Sequence, residues 1–226
     1  MEVYRYFVEL QDFLFYAQEA VAGTVTPRWL HATAMNYALA YVMNIIPEEQ
    51  PYLMRSDGGR NVPAYKSSLI PKAGFYATAA GLDNMSRAKL STFLVKGDGE
   101  GYGYITGKGG EVLRVSRVSM LPPGTVFKGF IISSKRREFP SRIRLGRFRI
   151  PTRLGLTRGE VVSRHEKHVV DHPVDPLVTK VKKGVLVPIL PYPLVVKAYL
   201  EDCLVVRFDE GTYYVAAPDF LLSGDE

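Results

Sequence analysis

The chain has 226 residues, of which 46% are hydrophobic and 23% charged, a balance that excludes wholesale disorder. Its only cysteine, Cys203, excludes an intrachain disulfide and a thiolate zinc cage, and it fits a reducing cytoplasm. Three prolines interrupt the longest apolar stretch, Val185 to Val196. A membrane helix needs about 20 apolar residues, so we expect no membrane span.

The N-terminal part of the sequence predicts one strand followed by one long helix. Residues Val3 to Leu10 alternate and are rich in Val, Tyr and Phe, which predicts a strand. Thr26 followed by Pro27 is typical of a helix start, with the threonine as N-cap. The predicted helix runs from Arg28 to about Ile46, and its wide apolar stripe indicates burial against a sheet.

The rest of the chain predicts mainly short strands. A tight turn is expected at Pro122 to Gly124, a hairpin loop at Asp209 to Gly211, and a glycine-rich hairpin or loop at Gly97 to Glu111. One strand, one long helix and then many strands predict an α+β fold with an antiparallel sheet. We expect a single domain over residues 1–226, with irregular insertions at about 47–110 and a basic segment at 135–167.

Positive charge is concentrated in that basic segment. The whole chain carries a net charge of +6, but the window from Lys135 to Lys167 contains eleven basic and three acidic residues and is +8 by itself. The remainder of the chain therefore sums to −2. Such a local excess can attract a polyanion, and most of these residues are arginine, whose planar fork suits phosphate oxygens.

The most informative part of the window is PSRIRLGRFRIP, Pro140 to Pro151. As an extended strand with a bulge at Gly146, it would present four arginines on one face, at a spacing suited to the phosphates of a single strand: Arg142, Arg144, Arg147 and Arg149. The alternative is a solvated edge strand whose charges prevent aggregation. We favour polyanion binding, because edge protection needs only one or two charges. Further basic candidates are Lys135, Arg136 and Arg137.

Single-stranded RNA binding also needs aromatic platforms for unstacked bases. Tyr102 and Tyr104 share one face of the predicted glycine-rich hairpin and are the preferred candidates. Phe139 and Phe148 are further candidates. Because Phe148 alternates with the arginines, it is expected to face inward.

Several segments resemble a known family: the opening strand, the helix with MNYALAYVMNI, the FPSRIRLGRF run and the later DHPVDPLVT. They are similar to the subtype I-D member of the Cas-five family of CRISPR Cascade proteins. The resemblance implies a ferredoxin-like or RRM-like core and a non-catalytic RNA-binding subunit. Such a subunit caps the 5′ handle of the crRNA and nucleates assembly for DNA interference, and Pro140 to Arg149 would contact the RNA.

The resemblance also implies partners, namely the Cascade backbone subunit and the Cas-ten-like large subunit. A subunit of this complex would lie near target DNA, including the duplex beside the recognised sequence. No P-loop, dinucleotide fingerprint or G-x-S-x-G elbow occurs, so we expect no cofactor and no enzyme activity.

Two other functions are also compatible with the sequence. A metal-independent endoribonuclease that processes precursor crRNA could use His165, His168 or His172 as general acid or base. The spacing of these histidines is not the H-E-x-x-H arrangement, and no metal site is expected. An assembly module could instead place its basic face against an acidic protein surface.

Overall fold

Strands dominate the architecture. A computed structural model describes residues 1–16, 19–20, 23–45, 54–57, 60–63, 73–83, 91–96, 104–107, 110–113, 115–146, 148–189 and 192–222. Its two described helices are α1 (Ala32–Val42) and α2 (Asp219–Leu222). Numbered in chain order, the strands are β1 (Glu2–Leu10), β2 (Glu19–Ala20), β3 (Gly23–Val25), β4 (Trp29–Leu30), β5 (Met54–Asp57), β6 (Arg60–Pro63), β7 (Phe75–Ala77), β8 (Ala80–Leu82), β9 (Ser91–Lys96), β10 (Tyr104–Gly107), β11 (Gly110–Leu113), β12 (Val115–Met120), β13 (Val126–Ser133), β14 (Arg142–Leu145), β15 (Ile150–Val169), β16 (Lys183–Val187), β17 (Leu194–Phe208) and β18 (Gly211–Val215).

A curled antiparallel sheet of ten strands forms the body of the molecule. Its main order is β16-β17-β15-β1-β13-β8-β4, and β14, β18 and β7 pair at the side with β15, β17 and β13. Strand β1 lies in the middle, antiparallel to β13 on one side and to β15 on the other. The other described strands form a four-stranded sheet, β2-β3-β12-β9, and two separate hairpins.

The two faces of β1 are buried against different clusters, which makes β1 the centre of the core. Its even-numbered side chains join α1 and β14 in the first cluster, whose members from β1 are Tyr4, Tyr6, Val8 and Leu10. On the other face, Val3 packs with Phe130 and Ile132 of β13 and with Val206 of β17. This second cluster covers only part of that face, because Phe7 and Glu9, further along β1, are only partly buried.

Helix α1 is shorter than predicted and begins later. Its N-cap is His31, whose side chain accepts a hydrogen bond from the Thr33 N–H, while Trp29 and Leu30 form strand β4 beside β8. The predicted N-cap, Thr26, is instead fully buried and donates to the Leu14 carbonyl. The residues of the predicted first helical turn therefore pair in the sheet instead of forming a helix. At the other end α1 stops at Val42, and the expected terminus near Ile46 lies outside the described residues.

The expected ferredoxin-like or RRM-like core is wrong. That core has the order β-α-β-β-α-β, with two helices on one face of its sheet. Here the described residues contain one helix of 11 residues and one of four, and the main sheet has ten strands rather than four. The chain is mostly β rather than α+β with a long N-terminal helix.

Several local predictions are confirmed. Strand β1 matches the predicted Val3 to Leu10, Pro122 to Gly124 form the turn before β13, and β17 and β18 are joined at Asp209 and Glu210. The glycine-rich segment contains the hairpin β10–β11, although residues 97–103 and 108–109 lie outside the described residues. Much of the predicted insertion at 47–110 lies there too, and the single-domain assignment stays a prediction.

Two buried histidines help to join these layers. The His172 ring packs at a tilt against Phe130, with 5.4 Å between the ring centroids. Its Nδ1 donates to the Pro173 carbonyl and its Nε2 accepts from the Ala216 N–H, which defines a neutral ring. His31 is enclosed by Tyr192, whose carbonyl lies 3.2 Å from its Nε2. Burial lowers the pKa of each imidazole to about 4, because the charged form would lose its hydration.

Acidification is expected to destabilise the fold through these histidines. An unfolded histidine titrates near pH 6.5 and the folded ones near 4, so the unfolded chain binds more protons between these values. The free energy of unfolding should therefore fall as the pH drops through this window, by up to ~1.4 kcal/mol per pH unit for each histidine.

Urea denaturation of wild type and a His172→Gln variant at several pH values between about 7.5 and 5 measures this effect. The pKa of buried Asp175 is raised and works in the opposite direction, so the difference between the two proteins is the readout. The variant should be less stable at neutral pH but lose less on acidification. Equal slopes would show that His172 is not held neutral.

Candidate nucleic-acid interface

The arginine-rich run forms a hairpin rather than one bulged strand. β14 pairs with the start of β15, and Leu145 opposite Ile150 is the last pair before the loop. Within the loop the Arg149 N–H donates to the Gly146 carbonyl, and both residues have a positive φ, +75° for Gly146 and +52° for Arg149. The predicted single track of four evenly spaced arginines is therefore wrong, since the chain reverses at Gly146.

The hairpin loop is anchored to the segment that follows β1. The Gly146 N–H donates to the hydroxyl of Tyr16, and a Cβ at position 146 would lie 2.7 Å from Leu14 Cδ1 and 2.9 Å from the Phe15 carbonyl oxygen. Tyr16 is half-buried, and its burial raises the pKa of its phenol well above the usual value. Glycine is thus required at position 146 by both the backbone angle and the close approach.

Three exposed arginines share the open face of the hairpin. Arg142 and Arg144 point away from the core, whereas Ile143 and Leu145 between them are 2% and 3% exposed and pack in the first cluster. Arg153 on β15 lies directly opposite Arg142. Residues opposite each other in an antiparallel pair share a face. We call Arg142, Arg144 and Arg153 the arginine face; it lies on the side of the sheet opposite α1.

The charges of the arginine face are poorly compensated. Within the described part of the chain, no carboxylate lies within ion-pair distance of Arg142 or Arg153, although Glu9 occupies the β1 position opposite Arg153. Arg144 donates one hydrogen bond, 3.0 Å long, to the Arg149 carbonyl, which uses one of its five N–H donors. Like charges directly opposite each other on a sheet are destabilising, so the facing of Arg142 and Arg153 does not stabilise the hairpin.

The other predicted basic residues lie elsewhere. Ser133, at the end of β13, is opposite Glu2, whereas Arg153 is opposite Glu9, seven residues further along β1. The run that follows Ser133 therefore starts more than about 20 Å from Arg153. In that run Lys135 and Arg136 are exposed, and Arg137 is half-buried with its guanidinium 5.7 Å from the centre of the Phe75 ring.

The remaining predicted residues, one arginine and four aromatics, have different outcomes. Arg147 and Tyr102 lie outside the described residues, as does the side chain of Tyr104 on β10. Phe139 packs edge-on against Tyr4 and Phe75 in the core. The expectation that Phe148 faces inward is wrong, because the hairpin turn interrupts the strand alternation: Phe148 is 61% exposed and stacks on Phe15.

A model of the type I-D CRISPR-associated protein Cas5/Csc1 family matches residues 1–221. The chain belongs to that family. Comparison with curated proteins gives no match. Membership of the Cas5/Csc1 family confirms the resemblance of the sequence and implies a role in a CRISPR Cascade complex.

The three histidines of the endoribonuclease alternative each contact a different partner in this family member. His165 contacts Asp202 at 3.0 Å, the His168 ring stacks on Tyr214 at 3.5 Å, and His172 is buried as described above. They lie on β15 and in the loop after it, not on a helix. In the ranges that the structure describes, no three His, Cys, Asp or Glu side chains are grouped to hold a metal ion. Neither described helix is long enough to cross a bilayer.

The anchoring of the hairpin loop can be tested at Gly146 in this Cas5/Csc1 protein. Gly146→Ala forces an L residue into a left-handed conformation and pushes its Cβ against Leu14 and Phe15, so we expect the unfolding free energy to fall by about 2 kcal/mol. Gly155→Ala on β15 is the matched control, because a Cβ there has no neighbour within 4 Å. Chemical denaturation measures both variants. Equal effects at the two positions would contradict a docked loop.

Proposed function

We propose that this protein is a non-catalytic RNA-binding subunit of a type I-D Cascade complex that caps the 5′ handle of the crRNA and nucleates assembly for DNA interference. The observation that carries the proposal is the arginine face, where Arg142 and Arg153 stand opposite each other without a carboxylate partner in the described chain. Repulsion of this kind is relieved when an anion binds between the two guanidinium groups.

The geometry of the arginine face suits a backbone clamp. Cβ atoms of directly opposite residues are about 5 Å apart, and residues two apart on a strand are about 6.7 Å apart. The three guanidinium groups therefore form a compact triangle that can hold two or three successive phosphates of a single strand. A subunit that holds RNA in this way would meet the Cascade backbone subunit, the Cas-ten-like large subunit and the duplex of the target DNA through its other surfaces.

Neutralising the triangle should weaken RNA binding and reduce its dependence on salt. For the triple variant Arg142→Gln, Arg144→Gln, Arg153→Gln we expect affinity for a labelled repeat-derived crRNA 5′ end to fall more than about tenfold. The slope of log affinity against log salt should decrease by about 1.4 to 2, since each lost phosphate contact on a single strand removes about 0.7.

The control for this experiment removes the same amount of charge elsewhere. Lys180, Lys182 and Arg207 are exposed and each lies near a carboxylate, of Asp219, Glu201 and Glu160 respectively. Changing these three to Gln should leave affinity and slope close to wild type. If both triple variants behave alike, only overall charge matters; if neither changes RNA binding, an acidic protein surface becomes the better partner for the arginine face.

The absence of catalysis is tested separately. Labelled repeat RNA incubated with the purified protein in EDTA should remain intact over hours, while the same RNA is recovered protected from the assembled complex. The separate partners of His165, His168 and His172 support this expectation. Defined cleavage that is lost in a His165→Ala or His168→Ala variant would replace the proposal with the endoribonuclease function.

A further inference from the structure

The tip of the arginine hairpin carries an exposed aromatic ring that the fold does not need for its core. Phe148 is 61% exposed, whereas the other phenylalanines described above are buried or half-buried. It stands between the end of β14 and the start of β15, two residues before Ile150. An exposed phenylalanine at a loop tip is a candidate for contact with a ligand.

The ring of Phe148 is held in place from below. It stacks on Phe15 with 5.3 Å between ring centroids and 22° between the planes, and Phe15 itself is 7% exposed. The loop backbone beneath the ring is fixed by the hydrogen bond from Gly146 to Tyr16. One face of Phe148 therefore rests on the protein and the opposite face is open to solvent, which is the form of a preorganised stacking platform.

The platform is joined directly to the arginine face. The Arg144 guanidinium donates to the carbonyl of Arg149, the residue next to Phe148, so a hydrogen bond links the two features at the end of the hairpin. A strand whose phosphates lie on Arg142 and Arg144 would carry its next nucleotide toward the tip. An unpaired base has two free π-faces, whereas a base inside a duplex has neither available.

We propose that the open face of Phe148 stacks on one unpaired base of the RNA held by the arginine face, at the end of the phosphate clamp. This inference rests on the proposed function and adds the chemistry of the nucleotide at the tip. Stacking is tolerant of sequence, and purines are favoured because they offer the larger surface. Phe148 thus contributes affinity that does not depend on charge.

Three substitutions at one position test the platform. Phe148→Ala and Phe148→Leu should each weaken binding of the crRNA 5′ end by about tenfold, within the range of about 5- to 150-fold expected for one stacked base. Phe148→Trp should keep or improve the affinity. The salt slope should not change in any of them, because no phosphate contact is lost. Leu186→Ala, at a 67% exposed position on β16, is the control for removal of an exposed apolar side chain.

A spectroscopic readout separates stacking from a merely structural role. RNA carrying 2-aminopurine at successive positions should show one position whose fluorescence is quenched on binding, and Phe148→Leu should remove that quenching while leaving thermal unfolding nearly unchanged. Phe148→Leu keeps an apolar contact with Phe15, so it remains informative if Phe148→Ala misfolds.

The possible outcomes distinguish this inference from the function on which it rests. Suppose that the arginine triple variant binds RNA more weakly and with a smaller salt slope, while Phe148→Leu binds like wild type and keeps the fluorescence quenching. Base stacking on Phe148 is then wrong, and phosphate binding by the arginine face is retained. If neither set of variants alters RNA binding, the proposed function itself fails, and the exposed ring is better explained as a contact for a protein partner.

Discussion

The structure depends on the close packing of β1 against β13 in the central sheet. Tyr6 is fully buried, and its hydroxyl donates to the Thr78 carbonyl at 2.7 Å. A Cβ atom added to Gly129 would lie only 2.6 Å from the Tyr6 ring. Only glycine allows that packing. On its other side β1 pairs with β15, and this register places Arg153 opposite Glu9 and, through the hairpin, Arg142 opposite Arg153.

The sequence predicted the parts of the fold that depend on local patterns. Strand β1 and the proline turn before β13 follow from alternation and turn chemistry, which neighbouring residues decide. The start of α1 could not be predicted in this way. Trp29 and Leu30 pair with β8, some 50 residues later, and Thr26 turns inward to Leu14, so non-local contacts override a good capping signal. The family resemblance identified the family but implied the wrong core.

The candidate site was predictable in composition and not in shape. The pattern around Gly146 fits either a bulge or a hairpin, because both need glycine, and only the pairing of Leu145 with Ile150 decides between them. A hairpin at this position places Arg153 opposite Arg142 and Phe148 at the tip of the loop, whereas a bulged strand predicts neither. Lys135 to Arg137 appeared to belong with the arginines because of nearness in sequence, but β13 carries them to the far end of β1.

The facing pair of Arg142 and Arg153 gives dissolved ions two opposing effects on the same molecule. In the empty protein, mobile anions gather between the two guanidinium groups and screen their repulsion, which steadies the hairpin. In the RNA complex proposed above, the same ions would compete with the nucleotide chain and favour its release. If the proposal holds, the free protein is most stable under the ionic conditions in which the complex with RNA is weakest.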